Sequence, residues 1–264
     1  MARGWYRAGL LLAPDEPSPF EVVEATPASR YVIACDHAGR RIPRSLGSLG
    51  LPESELERHI AWDLGVAALG RKLARALDAT LVLQTYSRLV VDCNRRPTRP
   101  DSMPKTSEDT VVPGNANVSP EAARERVEAI FEPYHARLRQ ELDARREQAR
   151  PTTLILLHSF TPVYRSVGRP WHAGVLHLHD PRLALRVLAE LSRESGLVVG
   201  NNEPYAASEL TDYGIIEHGE ARGLPHVELE VRQDLLADES GVEAWSERLS
   251  RVLRAAALPE ESNA

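Results

Sequence analysis

The chain is poor in the residues that would staple it or anchor it. Of its 264 residues only Cys35 and Cys93 are cysteines, each inside an apolar run. Two cysteines make neither a disulfide framework nor a zinc-finger pattern, so both read as small buried residues in a reducing compartment. Lysine is equally scarce: Lys72 and Lys105 are the only two among 32 basic residues, which leaves 30 arginines. With 38 acidic residues the formal charge is -6 and no basic run stands out, which argues against a nucleic-acid-binding chain. No stretch approaches the roughly 20 apolar residues needed to span a bilayer. Leu10, Leu11 and Leu12 form too short a run and are followed by acids and prolines, so no signal peptide is read there. A cytoplasmic protein with no membrane or nucleic-acid partner is the expectation.

What is present is ordinary for a folded domain: 42% hydrophobic and 27% charged residues suffice for a sizeable core and exclude general disorder. No repeat is visible, and a single domain over 1–264 with an N-terminal arm over 1–25 is expected. Tyr31–Cys35, Thr80–Tyr86, Arg88–Asp92, Thr153–Leu157, Gly174–Leu178, Leu197–Val199 and Val227–Val231 read as strands. Glu53–Leu77 has Leu56, Ile60, Ala67, Leu73 and Leu77 near one helical face. Ser119-Pro120 is a cap followed by a first-turn proline and opens a helix to about Glu147, kinked at Pro133. Pro181–Ser195 and Gly241–Ala257 read as further helices, and Pro97–Val118 as a loop or lid. Strands alternating with helices predict a three-layer α/β sandwich around a mostly parallel mixed sheet.

Polar residues recur where the buried strands stop, which is where open α/β sheets bind ligands. His37 follows the first strand, Asp63 lies on the proposed helix, and His158 ends the Thr153–Leu157 strand. Two histidines and a carboxylate from three elements suit a catalytic zinc site, although a strand-end histidine is more often simply hydrogen-bonded. His177 and His179, alternating on one strand face, compete for that role. His59, four residues before Asp63, is expected to support it from the same helix face. His218 and His226 flank a turn and either contact substrate or pack, and His135 reads as surface. Most arginines, as along Arg137 to Arg150, read as solvated helix faces.

Five blocks carry a resemblance: Cys35-Asp36-His37-Ala38-Gly39-Arg40-Arg41-Ile42-Pro43, His59-Ile60-Ala61-Trp62-Asp63-Leu64-Gly65, Ser87-Arg88-Leu89-Val90-Val91-Asp92-Cys93-Asn94-Arg95, His158-Ser159-Phe160, and His218-Gly219-Glu220 through Leu229-Glu230-Val231-Arg232-Gln233-Asp234. In this order, from about residue 30 to 236, the chain resembles the N-formylglutamate amidohydrolase family. One departure is Asp36, where the resemblance leads one to expect glutamate; the shorter carboxylate is expected to orient His37. The family is similar to the wider zinc-peptidase group of carboxypeptidases, aspartoacylases and cell-wall amidases, which implies a zinc-carboxypeptidase-like (phosphorylase/hydrolase-like) fold.

The resemblance implies a zinc ion, or another divalent metal, on His37, Asp63 and His158. It implies Glu230 as the base, with Glu228 as runner-up, and Arg88 or His218 as the donor to the acyl oxygen. Asn94 and Arg95 would hold the substrate carboxylate, since a planar guanidinium forks onto a carboxylate. Arg165 or Arg232 would meet a second carboxylate, and Tyr205 completes the substrate-binding set. The implied reaction is hydrolysis of N-formylglutamate to formate and glutamate, with loops 97–118 and 160–173 setting the pocket size. Three other readings stand beside it: an amidase for another N-acyl amino acid or small peptide, a non-catalytic binding protein on the same fold, and a nucleic-acid binder. The sequence leaves the oligomeric state open.

Overall fold

Every side chain of Tyr31–Cys35 is buried, as a strand covered on both faces requires. The computed structural model describes residues 11–26 and 28–258. In chain order its elements are β1 (Phe20–Val23), β2 (Tyr31–Cys35), α1 (Glu53–Leu56), α2 (Val66–Leu77), β3 (Thr80–Gln84), β4 (Thr106–Ser107), β5 (Thr110–Val111), α3 (Pro120–Arg126), α4 (Glu132–Glu147), β6 (Thr153–Phe160), β7 (Val163–Tyr164), β8 (Val167–Gly168), β9 (Ala173–Leu176), α5 (Arg182–Ser192), β10 (Val199–Asn201), β11 (His226–Arg232) and α6 (Glu239–Ala256). One seven-stranded sheet runs β1-β3-β2-β6-β11-β9-β10. Its centre, β3-β2-β6-β11, is parallel, as is β9-β10; the β1-β3 and β11-β9 pairs are antiparallel.

Alternation along the strands divides the core in two. Ile33, Ile155, Val227 and Leu229 meet α2, α5 and α6 on one face. Val32, Ala34, Leu154 and Leu156 meet α4 and its flanking loops on the other. Leu69, Leu73, Val187, Leu191, Leu249 and Leu253 are wholly buried in the first layer. Each such side chain contributes roughly 1.5–3 kcal/mol. The three-layer α/β sandwich with a mostly parallel mixed sheet is therefore the fold of this chain. No helix among the described residues is long and apolar enough to cross a membrane.

Several elements differ from the sequence expectation. β1 joins the sheet edge within the segment read as an arm, whose first ten residues lie outside the described ones. The helix expected over Glu53–Leu77 breaks after Leu56 and resumes at Val66. Asp63 and His59 therefore sit in the turn between α1 and α2, with no shared helix face. The apolar spacing misleads because Ile60 and Ala61 are buried as loop residues. Arg88–Asp92 forms a turn and an irregular stretch, not a strand, although Leu89, Val90 and Val91 are all buried. β6 continues to Phe160, which places His158 inside the strand. β9 stops at Leu176, so His177 and His179 fall beyond it; His177 faces Asn201 at 3.0 Å and exposed His179 faces Glu209 at 3.1 Å.

The long helical segment starts as expected, with Ser119 Oγ accepting from the Ala122 N–H at 3.2 Å. Between α3 and α4 it widens into a π-turn, Val127–Phe131. Pro133 has no N–H to continue the ladder and its ring crowds the preceding turn, so the strain is absorbed there. Two expected surface features of this segment are buried. Arg145 is fully enclosed and donates to Glu141, the Ser29 carbonyl and Thr80.

His135 is also fully buried, bonded through Nδ1 to His218 Nε2 at 2.9 Å and through Nε2 to the Cys93 carbonyl. Burial pushes His135 down to about 4 and also pushes His218 well below the ordinary histidine value. A histidine held neutral in the fold stabilises it fully above the unfolded pKa of about 6.5, and that stability drains away as pH falls toward the folded value. For His135 the expected loss between pH 7.5 and pH 5 is about 2 kcal/mol. Urea unfolding at the two pH values measures it, and His135→Gln should flatten the dependence. An unchanged slope in that variant would show that other groups carry it.

Candidate active site

The pocket opens where the parallel strands end, and three local devices aim side chains into it. After β2 the chain passes flush against the end of β3. A Cβ on Gly39 would lie 2.0 Å from the Thr85 carbonyl oxygen, so only glycine permits this path and the position of His37 that it sets. The turn before α2 closes through Gly65 at φ +79°, where a side chain would also strike Leu236. That turn brings Asp63 back under β2, its N–H donating to the His37 carbonyl at 2.9 Å. The third device is strand register: β6 and β11 pair in parallel with Glu230 opposite His158. Partnered residues of neighbouring strands project to the same face, so these two side chains stand side by side.

His37, Asp63 and His158 converge with ligand-type atoms all within 4.8 Å of one another. Asp63 Oδ2 lies 3.6 Å from His37 Nδ1 and 2.9 Å from His158 Nδ1. His37 donates from Nε2 to Asp92 Oδ1 at 2.8 Å, which leaves the lone pair on Nδ1. That Nδ1 is buried without a hydrogen-bond partner and faces a carboxylate. A lone pair opposed to an anion calls for a cation between them, and the N,O,N donor set is one that suits a divalent transition metal. The residues present thus fit a metal centre.

Charges around the trio are strongly coupled. Burial would raise Asp63, but His37 and His158 hold it well below the ordinary carboxylate value. Burial and Arg88 oppose charge on His37, but Asp92 with Asp63 outweigh them and raise its pKa, so a proton competes with a metal ion for the Nδ1 lone pair. Asp92 takes the Nε and Nη2 of Arg88 at 3.1 and 2.7 Å and the Asn94 N–H at 2.8 Å. Burial pushes Glu230 well up, and the Asp63 charge adds to it. Glu228 is raised by burial first, then by Asp212 and Glu230. Both glutamates keep a buried Oε2 with no partner.

One pocket of about 830 Å³ gathers His37, Asp63, Arg88, Asn94, Arg95, His158, Arg165, Tyr205, Glu228 and Glu230. Arg95 Nη1 donates to the Asn94 carbonyl at 3.0 Å and to the Thr211 carbonyl, while Asn94 Oδ1 accepts from Gly214 N–H. Both loops expected to bound the pocket do so: Asp101 to Glu108 line one side and Tyr164-Arg165 another. The Arg165 N–H donates to Glu108 at 3.1 Å, tying the β7-β8 turn to the β4-β5 turn. His59 also faces Glu108, at 3.4 Å. Two proposed residues lie elsewhere. His218 packs on His135 with ring centroids 5.2 Å apart, and Arg232 pairs with Asp234 at 2.8 Å; neither lines the pocket.

Asp36 turns away from His37 and accepts from the Tyr134 hydroxyl, so the carboxylate that orients His37 is Asp92. Asp92 lies in the Ser87–Arg95 block, where an acid between Arg88 and Arg95 is the signal the sequence offers for it. Asp212 was missed altogether, as was Arg169, which donates to the Tyr205 hydroxyl at 2.8 Å and lies 4.5 Å from its ring centroid.

The three-layer α/β fold and the family profile together define a hydrolase that acts on amide bonds. The chain is a member of the N-formylglutamate amidohydrolase family, whose profile matches residues 29–237. A solved gene product of Agrobacterium tumefaciens is 34% identical over 93% of this chain and 97% of its own, with a TM-score of 0.90. An N-formylglutamate amidohydrolase from Ralstonia eutropha JMP134 shares the fold at 20% identity and a TM-score of 0.67, over 91% of this chain and 97% of its own. No curated protein sequence matches the chain.

Proposed function

We propose that this chain is a metal-dependent hydrolase that removes the acyl group from an N-formyl or other N-acyl amino acid. N-formylglutamate is the reference substrate because the family is named for it. The observation that carries the reading is the convergence of His37, Asp63 and His158 beside the unpartnered carboxylate of Glu230. A divalent cation on that trio would polarise the acyl carbonyl and lower the pKa of water toward about 7.

The chain's own residues supply the rest. Glu230, its pKa raised by burial, accepts a proton from the attacking water and returns it to the departing nitrogen. Water adds across the amide bond, so the products are the free acid and the free amine; from N-formylglutamate these are formate and glutamate. Arg88 commits Nε and Nη2 to Asp92, and its Nη1, which makes no hydrogen bond and lies 3.6 Å from Asp63 Oδ1, is the donor for the acyl oxygen. Arg95 and the Asn94 amide offer donors to the α-carboxylate at the pocket wall.

Protein purified without chelator is expected to carry about one divalent ion per chain. Chelation or His158→Ala should abolish formate release. A metal-free protein whose His158→Ala variant is fully active would sink the reading.

A further inference from the structure

His218 lies outside the pocket, yet a chain of buried hydrogen bonds joins it to the residue before Asn94. Its Nε2 stands 2.9 Å from His135 Nδ1, and His135 Nε2 stands 2.9 Å from the Cys93 carbonyl oxygen. The two ring planes are within 17° of each other and the centroids 5.2 Å apart, so the rings meet nearly edge to edge. That is the direction in which an imidazole lone pair accepts. Cys93, His135 and His218 are all buried.

The protons in this chain have only one arrangement. A carbonyl can only accept, so His135 carries its proton on Nε2. Burial holds His135 neutral by pushing its pKa down to about 4, so its Nδ1 is bare and accepts. His218 therefore donates from Nε2, and its own Nδ1 is the buried atom left without a partner. Both N–H groups point toward Cys93. A second proton on His135 would set two N–H groups against each other.

The segment that carries His218 also holds the next residue directly. The Tyr213 N–H donates to the Asn94 carbonyl at 3.3 Å and the Gly214 N–H to Asn94 Oδ1 at 3.0 Å. The chain then widens into a π-turn, Ile215–Gly219, which contains His218. A π-turn re-aims the side chains within it, as a histidine placed for a task requires. Cys93 and Asn94 are thus held by both ends of one short segment. With Oδ1 committed to Gly214, the Asn94 amide has one orientation, and its NH2 group, unbonded among the described residues, is left for a ligand in the pocket that Asn94 lines. The Asn94 carbonyl also takes Nη1 of Arg95 at 3.0 Å, so a shift of this stretch moves both donors proposed for the substrate carboxylate.

We infer that His218 and His135 are positioning residues, a relay that fixes Cys93 and Asn94 so that the Asn94 amide and the Arg95 guanidinium meet the substrate carboxylate. The inference rests on the amidase reading above for the identity of that carboxylate. It gives His218 a role at a distance from the reacting atoms.

The test uses the metal-loaded full chain with N-formylglutamate. His218→Leu removes the donor, and His218→Gln restores an N–H near the place of Nε2. His218→Leu is expected to raise KM about tenfold, with the loss falling on KM more than on kcat and the metal content unchanged. His218→Gln should recover most of that loss. His135→Leu breaks the same chain and serves if the first variant does not fold. Asn94→Ala raises KM by itself, and adding His218→Leu to it should cost less than a further twofold, because the two act through one contact. An unchanged KM in His218→Leu overturns the proposal, as does an equal loss in His218→Gln or full additivity with Asn94→Ala. Hydrogen exchange gives a readout independent of turnover. The Asn94 amide, bonded to Asp92 Oδ1, should exchange about tenfold faster in His218→Leu and close to the native rate in His218→Gln. If no N-formyl amino acid is cleaved, the amidase reading fails, and exchange still decides this one: faster exchange restored by glutamine supports the relay, and an unchanged rate overturns it.

Discussion

Glu230→Gln is expected to lower kcat by about two to four orders of magnitude, the range for removing a general base, while leaving the metal content unchanged. Glutamine keeps the size and the acceptor oxygen of glutamate but cannot take up the proton of the attacking water. The geometry singles out Glu230 over Glu228, although alternation puts both on one strand face. Register sets Glu230 opposite His158, whereas Glu228 stands opposite Leu156, two residues further along the strand from the His37, Asp63 and His158 trio. The Oε2 of each glutamate has no protein partner, so it is the register, not the free oxygen, that separates them. Kinetics with parallel metal analysis checks the claim. Loss of metal along with activity would make Glu230 a ligand instead of a base, and retained turnover would remove it from the chemistry.

Asp92→Ala should weaken metal binding by roughly 10–100-fold, the usual effect of removing the partner of a ligating histidine. Asp92 receives His37 Nε2, two donors of Arg88 and the Asn94 N–H. Through the first of these it fixes the tautomer that leaves the Nδ1 of His37 free. Its loss would strand a guanidinium and an imidazole in a buried pocket, so thermal stability is expected to drop as well. Asp92→Asn should be intermediate, because one amide oxygen can still accept from His37 while its NH2 group opposes Arg88. Chelator competition measures the affinity. A dissociation constant within twofold of the unaltered protein would show that His37 needs no such support.

Much of the fold was legible because strands buried on both faces advertise themselves locally. Tyr31–Cys35 and Val227–Val231 read correctly as continuous apolar runs, the second interrupted only by its pocket acids. The same reasoning failed where burial came without regular structure. Leu89, Val90 and Val91 are as buried as any strand, yet they lie in a turn and an irregular stretch that carry Arg88, Asp92 and Asn94 to the pocket. Apolar spacing across Ile60 and Ala61 extended a helix through the loop that positions Asp63. Functional loops pack into the core, and local periodicity cannot tell them from the elements they join.

The sequence by itself determined the layered α/β class, because apolar runs and helical faces are local signals. Residue type at the ends of those runs pointed to His37, Asp63 and His158, and the preference for Glu230 over Glu228 came from the family resemblance. Tertiary structure alone decided the partners. Asp92, 55 residues away from His37, orients it, while the adjacent Asp36 bonds Tyr134. His135 and Arg145 are sealed inside the protein, Arg232 is kept outside the pocket, and Glu228 with Asp212 stands within it. Those choices follow from strand order and register, which set side chains distant in the chain a few ångströms apart. Net charge and composition average over such pairings and so carry no trace of them.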